Sequence, residues 1–409
     1  MPVGVEHVGV AVIGAGQAGL ATSYELSRAG VGHVVLERGR VGQTWRERWD
    51  SFCLVTPNWS VQLPGGQYEG PDPDGFMPRD EIVHHLERYA GHWQAPVREE
   101  VEVGSITSSD GGFAIRTSVG DLAADSVVVA TGAYQRPYRP AGAESLPGSI
   151  QQIDVQAYRN EPSLPPGRVL IVGSGQSGCQ IAEELNEAGR DVALSCGRAP
   201  WAPRRMGGRD LVWWAHESGF LDQSIDDLPS PEARLIGNIL ATGKGGGHDL
   251  DLRLLRAAGV VLAGHFRGVS DRKLQFAPDL AVSIQWGDER YREFRRLVHD
   301  FASERGLGPP DLPDPPPFDA EAPESLDLRD FGAVIFAGGF RPDYRSWLPW
   351  SDAFDALGFP IHHDGASSVV PGLYFVGAHF LRKRKSSLLI GVGEDAALVA
   401  GQIATRPAG

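Results

Sequence analysis

Residues 8–37 read VGVAVIGAGQAGLATSYELSRAGVGHVVLE, and this stretch decides the fold. Val8–Ile13 is a short apolar run of the kind found in a strand buried on both faces. Gly14-Ala15-Gly16-Gln17-Ala18-Gly19 meets the pattern G-x-G-x-x-G, and Gln17–Ala29 keeps helical spacing up to Gly30. Val34–Leu36 makes a second strand, with Glu37 just past its end. Gly14 permits a tight turn, Gly16 lets backbone N–H groups approach a pyrophosphate, and Gly19 lets helix and strand pack closely. Gln17 and Ala18 open the helix, whose positive end attracts phosphate. Glu37 stands 23 positions after Gly14, where a carboxylate accepts hydrogen bonds from an adenosine ribose. A bare glycine pattern could be a structural turn; strand, helix and acid together favour a dinucleotide site.

The unit occurs twice. Residues 168–196 read RVLIVGSGQSGCQIAEELNEAGRDVALSC, and Gly173, Gly175 and Gly178 repeat the spacing, with Gln176 and Ser177 opening the helix. The position equivalent to Glu37 holds Cys196, beside Ser195, and no acid. Arg198 follows at once, then Arg204 and Arg205. A missing acid with arginines nearby suits a ribose carrying a 2′-phosphate, which a carboxylate would repel and a guanidinium binds two-pronged. The first site therefore suggests FAD and the second NADPH. Two such sites on one chain imply electron transfer between them.

The bulk properties fit this picture. A chain of 409 residues with 42% hydrophobic content fills two or three domains. No segment is long and apolar enough to span a membrane, and the start, MPVGVEHVGV, lacks a secretory pattern, which points to the cytoplasm. A net charge of −14 argues against nucleic acid or an anionic membrane as partner. Cys53, Cys179 and Cys196 include no CxxC pair, which excludes two-cysteine disulfide chemistry. His84 and His85 lack a third ligand at a recognisable spacing, so no metal site is expected.

Along the chain, Arg38–Leu63 holds Thr44, Trp45, Trp49 and Trp59 among charges, a segment suited to lining a flavin ring. Asp80–His92 has helical spacing with Asp80 as N-cap. Val97–Val103, Phe113–Ser118 and Asp121–Ala130 read as strands, two of them a hairpin turning at Asp110-Gly111-Gly112. The last ends in Ala130-Thr131-Gly132, a small-residue turn that lets backbone approach a cofactor. Arg234–Ala241, Leu250–Ala258, Asp288–Glu304 and Ser386–Ala404 read as helices. Phe331–Phe340 is a buried strand closing on glycines, similar to Val127–Gly132, and Leu373–Gly377 is another. Arg382–Lys385 is a run of four basic residues, a solvated loop or a cofactor-facing one.

At this point the chain resembles the class B flavin monooxygenases and their relatives among flavoproteins with two dinucleotide-binding domains. The carriers are GAGQAG, GSGQSG, VGQTW at residues 41–45, the Ala130–Gly132 turn, AGGFRPD at 337–343 and LYFVG at 373–377. WDSFCLVTPNWSVQLPG and RKRKSSLLIGVGEDA look like a bacterial subgroup of flavin-dependent oxidoreductases. The resemblance implies an α/β fold of two Rossmann-like domains, the NADPH domain inserted in a discontinuous FAD domain. Its bounds are expected at residues 1–145, 146–329 and 330–409, with residues 201–329 supplying the substrate side. It implies chemistry through a C4a-(hydro)peroxyflavin: NADPH reduces FAD, O₂ adds, and one oxygen goes to a small organic substrate by N-, S- or Baeyer–Villiger oxygenation.

Arg38, Val101 and Gly377 join the candidate cofactor contacts. Asn58, one position off the family's asparagine, is a candidate catalytic residue, as are Lys383 and Lys385 before the C-terminal helix. The family's F-x-G-x-x-x-H signature is not met: Asp154 stands at its histidine position and Gly148 is two residues early. An NADPH-dependent reductase or oxidase without oxygen insertion, and a non-catalytic flavin sensor, stay open beside the monooxygenase, as does a homodimer.

Overall fold

The computed structural model describes residues 5–109, 111–318 and 321–406; Asp110, in the expected hairpin turn, lies outside them. Two sheets organise the chain. In the first, Glu6–Ile13 pairs in parallel with His33–Leu36 on one side and Gly120–Val129 on the other. Leu373–Phe375 continues the sheet in parallel beyond Gly120–Val129, and Val97–Arg98 extends its other side. The hairpin Val103–Ser109 and Gly112–Thr117 folds back on Gly120–Val129. The second sheet is parallel throughout, in the order Gln151–Asp154, Phe331–Phe336, Arg168–Val172, Val192–Ser195, Val261–Ala263.

Phe331–Phe336 corrects the expected boundary at 329/330, because it sits between two strands of the second sheet. It is the counterpart of Gly120–Val129: each lies beside a fingerprint strand and ends in a small-residue turn against the first fingerprint glycine. A Cβ on Gly14 would stand 2.7 Å from the Ala130 carbonyl oxygen, and one on Gly173 would stand 2.5 Å from that of Ala337. Both glycines also have φ above +100°, so only glycine fits.

Continuous apolar strands form the two cores. Val10, Val12, Leu20 and Leu26 pack with Val392, Ala396 and Val399 of the C-terminal helix Val392–Thr405. Val169, Ile171, Ile181 and Leu185 pack with Ala333 and Ile335. Several element bounds differ from expectation. Val97–Val103 is broken by Glu100 at φ +60°. Arg234–Ala241 is no helix: a single 3₁₀ turn, Pro231–Leu235, gives way to extended chain that bridges Trp201 at Leu240. The helix expected at Asp288 begins at Leu280, since Leu280 and Ile284 continue the buried face of Tyr291. The N-cap of Arg79–His92 is Pro78 rather than Asp80. The last helix starts after Gly391, with Arg384–Ser387 a separate 3₁₀ turn. No helix among the described residues is long and apolar enough to cross a membrane.

Candidate functional site: a cavity shared by two fingerprints

The carboxyl ends of both sheets open into one cavity of about 1150 Å³. Gly14, Gly16, Gln17 and Ala18 line it from the first unit, and Gly173, Gly175, Gln176 and Ser177 from the second. Gly16 and Gly175 take matching backbone conformations, φ −81°, ψ −172° and φ −73°, ψ −174°, and a Cβ on either would meet nothing within 4 Å. Each therefore presents bare backbone at a helix N-terminus. Gly19 and Gly178 do not line the cavity; they hold its shape. A Cβ on Gly19 would fall 1.8 Å from the Gly14 oxygen, and one on Gly178 would fall 1.9 Å from the Gly173 oxygen.

Glu37 lines the cavity and is 7% exposed. Its Oε2 accepts the Ala15 N–H at 2.7 Å and its Oε1 accepts that of Gly39 at 2.9 Å, so it braces the glycine turn while each oxygen keeps a further lone pair. Arg38, Thr44, Trp45, Val101, Ala130, Thr131, Gly132 and Gly377 are also on the wall. The fingerprint glutamines act as struts. Gln17 accepts from Trp45 Nε1 at 2.9 Å and donates to the Ser387 carbonyl at 3.1 Å. Gln176 pairs in the same way with both backbone groups of Ala241. Arg198 is exposed on the wall, with no hydrogen bond or ion pair among the described residues.

Four expected site residues stand elsewhere. Asn58 is locked into its own loop, donating to the Asp72 carbonyl at 2.9 Å and accepting the Met77 N–H at 2.7 Å. Arg204 is 1% exposed, paired with Asp210 at 2.9 Å and donating to the Val55 carbonyl at 2.7 Å, so no phosphate can reach it. Lys383 and Lys385 both bind Asp222, at 2.8 and 3.0 Å, and Glu394, at 3.0 and 2.6 Å. Burial alone would raise the Asp222 and Glu394 carboxyls, but the lysines hold both below the usual range. The two lysines thus latch the 3₁₀ turn Phe220–Asp222 to the C-terminal helix, and neither lines the cavity. Asp154 is held by Arg139 in a two-pronged ion pair at 2.8 and 2.9 Å.

Of the other wall residues, Arg48 falls in the 38–63 segment expected to line a flavin ring, and the rest carried no local signal in the sequence. Arg48 stands over the rings of Tyr134 and Phe52, at 5.2 and 5.8 Å, and its Nε is buried without an acceptor. Burial lowers its pKa. Arg234 reaches Asp355 only at 3.4 Å and also has an orphaned Nε. Burial pushes the His379 imidazole down to about 4, which leaves it neutral near pH 7. Phe220, Leu221, Leu235, Ile239, Leu388 and Ile390 give this end an apolar wall. The three cysteines are free, and among the described residues no group of His, Cys, Asp and Glu could hold a metal ion.

Residues 11–207 match the family model described as pyridine nucleotide-disulphide oxidoreductase. The chain is 32% identical over 392 residues to an uncharacterized oxidoreductase, CzcO-like, of Geobacillus kaustophilus, covering 95% of this chain and 96% of that one. It is 30% identical over 184 residues to the probable indole-3-pyruvate monooxygenase YUCCA1 of Arabidopsis thaliana, covering 43% and 44%. Its fold matches a flavin-containing monooxygenase from Stenotrophomonas maltophilia with a TM-score of 0.67, at 22% identity and 98% coverage of both chains. The chain belongs to the CzcO-like oxidoreductases, and it shares its fold with the flavin-containing monooxygenase.

Proposed function

We propose that the protein is an FAD- and NADPH-dependent monooxygenase that transfers one atom of O₂ to a small organic substrate. One observation carries this reading: a single cavity is walled by both glycine fingerprints, so two cofactors bound to them share one space. The wall fits dinucleotides, with open glycine cradles from both fingerprints and, on the same wall, Arg48, whose Nε is buried without an acceptor. FAD would lie along Gly14–Gly16 and Glu37, in a unit made of residues 1–145 and the chain after Gly339. NADPH would lie along Gly173–Gly175 and Arg198, in the unit between. Bound there, the flavin supplies two-electron reduction by NADPH and activation of O₂.

The chain's own residues then have separable tasks. Backbone N–H groups at Gly16 and Gly175 bind phosphate, and Glu37 orients a ribose. The Trp45–Gln17–Ser387 relay fixes the wall between the first fingerprint and residues 387–390. The apolar end excludes water and receives the substrate, with neutral His379 beside it. A second reading, an NADPH oxidase or reductase without oxygen insertion, is favoured by Asn58 being tied into its loop.

Isotopically labelled O₂ decides between them. FAD-loaded protein with NADPH and a panel of sulfides, amines and ketones should yield a labelled product. If NADPH is consumed with matching peroxide and no labelled product across the panel, the monooxygenase reading fails and the oxidase reading stands.

A further inference from the structure

His265 follows the strand Val261–Ala263, and Arg198 follows its parallel neighbour Val192–Ser195. Both loops leave the same end of the sheet and line the shared cavity. Asp279, immediately before the helix Leu280–Glu304, grips His265 twice. Its Oδ1 accepts the His265 backbone N–H at 3.0 Å, and its Oδ2 faces ring Nδ1 at 2.9 Å. A carboxylate only accepts, so Nδ1 carries the proton and Nε2 is left facing outward. Nε2 has no partner among the described residues. It is directed at the turn after the second fingerprint's outer strand: a Cβ on Gly197 would stand 3.2 Å from it.

Other groups at this strand end are engaged. The Ser195 hydroxyl accepts the Phe266 N–H at 2.8 Å and donates to the Gly264 carbonyl at 2.9 Å, so it is no free ribose ligand. Arg204 is buried against Asp210. Burial works against the Asp279 carboxylate, yet the two bonds from His265 outweigh it and keep its pKa below the usual range. An ionised Asp279 behind the ring fixes its orientation and leaves Nε2 towards the cavity.

We propose that His265 and Arg198 together bind the 2′-phosphate of NADPH, with Asp279 positioning the imidazole, and that this pair sets the preference over NADH. The inference rests on the NADPH site proposed above. A phosphate offers three acceptor oxygens. The guanidinium takes two of them and an imidazolium Nε2–H takes a third, whereas a 2′-hydroxyl cannot use both cations. The charged groups around the pair are Asp279 at the helix start, Arg267 on the strand Phe266–Ser270 and Arg198 itself.

Calorimetric titration of the FAD-loaded protein with adenosine 2′,5′-bisphosphate and with adenosine 5′-monophosphate tests this without turnover. The parent should prefer the bisphosphate. His265→Asn should weaken bisphosphate binding about tenfold and leave the monophosphate unchanged. Asp279→Asn should give a smaller loss of the same sign. If the parent binds both nucleotides equally, the NADPH reading and this inference fall together. If the parent prefers the bisphosphate and Arg198→Ala abolishes that preference, but His265→Asn keeps it in full, only the role of His265 is overturned.

Discussion

Glu37→Ala should cost stability before any flavin is bound. Its carboxylate accepts two backbone N–H groups, one from Ala15, which is 0% exposed, and one from the less buried Gly39. Orphaning the Ala15 N–H costs about 1–3 kcal/mol, while water can replace the partner of Gly39 at a cost of about 0.5 kcal/mol. Losing a negative charge near the N-terminus of Gln17–Arg28 adds about 0.5 kcal/mol. The flavin-stripped variant should therefore lose about 2–4 kcal/mol, and Glu37→Gln, which keeps one carbonyl acceptor, about half of that. Urea unfolding followed by tryptophan fluorescence, on stripped and FAD-loaded protein, separates the two roles of Glu37. The loaded variant should lose more than the stripped one, because the ribose bonds count only when flavin is present. A stripped Glu37→Ala protein as stable as its parent would refute the bracing role. Equal losses in the two forms would refute the ribose contact.

Gly178→Ala should abolish nicotinamide coenzyme binding while flavin occupancy is kept, and Gly19→Ala should do the reverse, because each new methyl would lie within 2 Å of a fingerprint carbonyl. Coenzyme titration and flavin content read this directly, and retained coenzyme affinity in Gly178→Ala would count against it. Arg204→Ala strands Asp210, whose side chain is 3% exposed, and should destabilise the protein by about 3–5 kcal/mol. Arg198→Ala should stay within about 0.5 kcal/mol of the parent and raise the KM for NADPH alone. His379 titrates near 4 when folded and near 6.5 when unfolded, so between these values the unfolded chain binds the proton first. Its stabilising contribution is complete above about pH 6.5 and declines as pH falls towards 4, by about 1–2 kcal/mol between pH 7 and pH 5 since water in the cavity softens the effect. His379→Gln should flatten that part of the stability profile, and an unchanged slope would contradict the assignment.

Both fingerprints were legible because their demands are local and steric. Gly14, Gly16 and Gly19 are fixed by a turn, an open cradle and a close approach, all within six residues. The strand Phe331–Phe336 was legible as a strand, and its likeness to Val127–Gly132 was the clue to its place. That likeness marks an equivalent position in the second sheet rather than membership of the first. Charged partners far apart in sequence were not legible. Lys383 reads as a free cation until Asp222, 161 positions away, is seen beside it. Arg204 and Arg198 look alike in sequence, yet Arg204 is buried against Asp210 while Arg198 has no hydrogen bond or ion pair among the described residues. His265 gave no signal because its meaning depends on Asp279, 14 positions on, and on Gly197 in a neighbouring loop.

The two sites in the shared cavity should exchange electrons. Anaerobic stopped-flow mixing of the FAD-loaded protein with NADPH, watched at the oxidised-flavin absorbance band, tests this most directly. Bleaching should be complete in a single turnover, and faster with NADPH than with NADH at equal subsaturating concentration. Flavin that stays oxidised in the presence of saturating NADPH would contradict it.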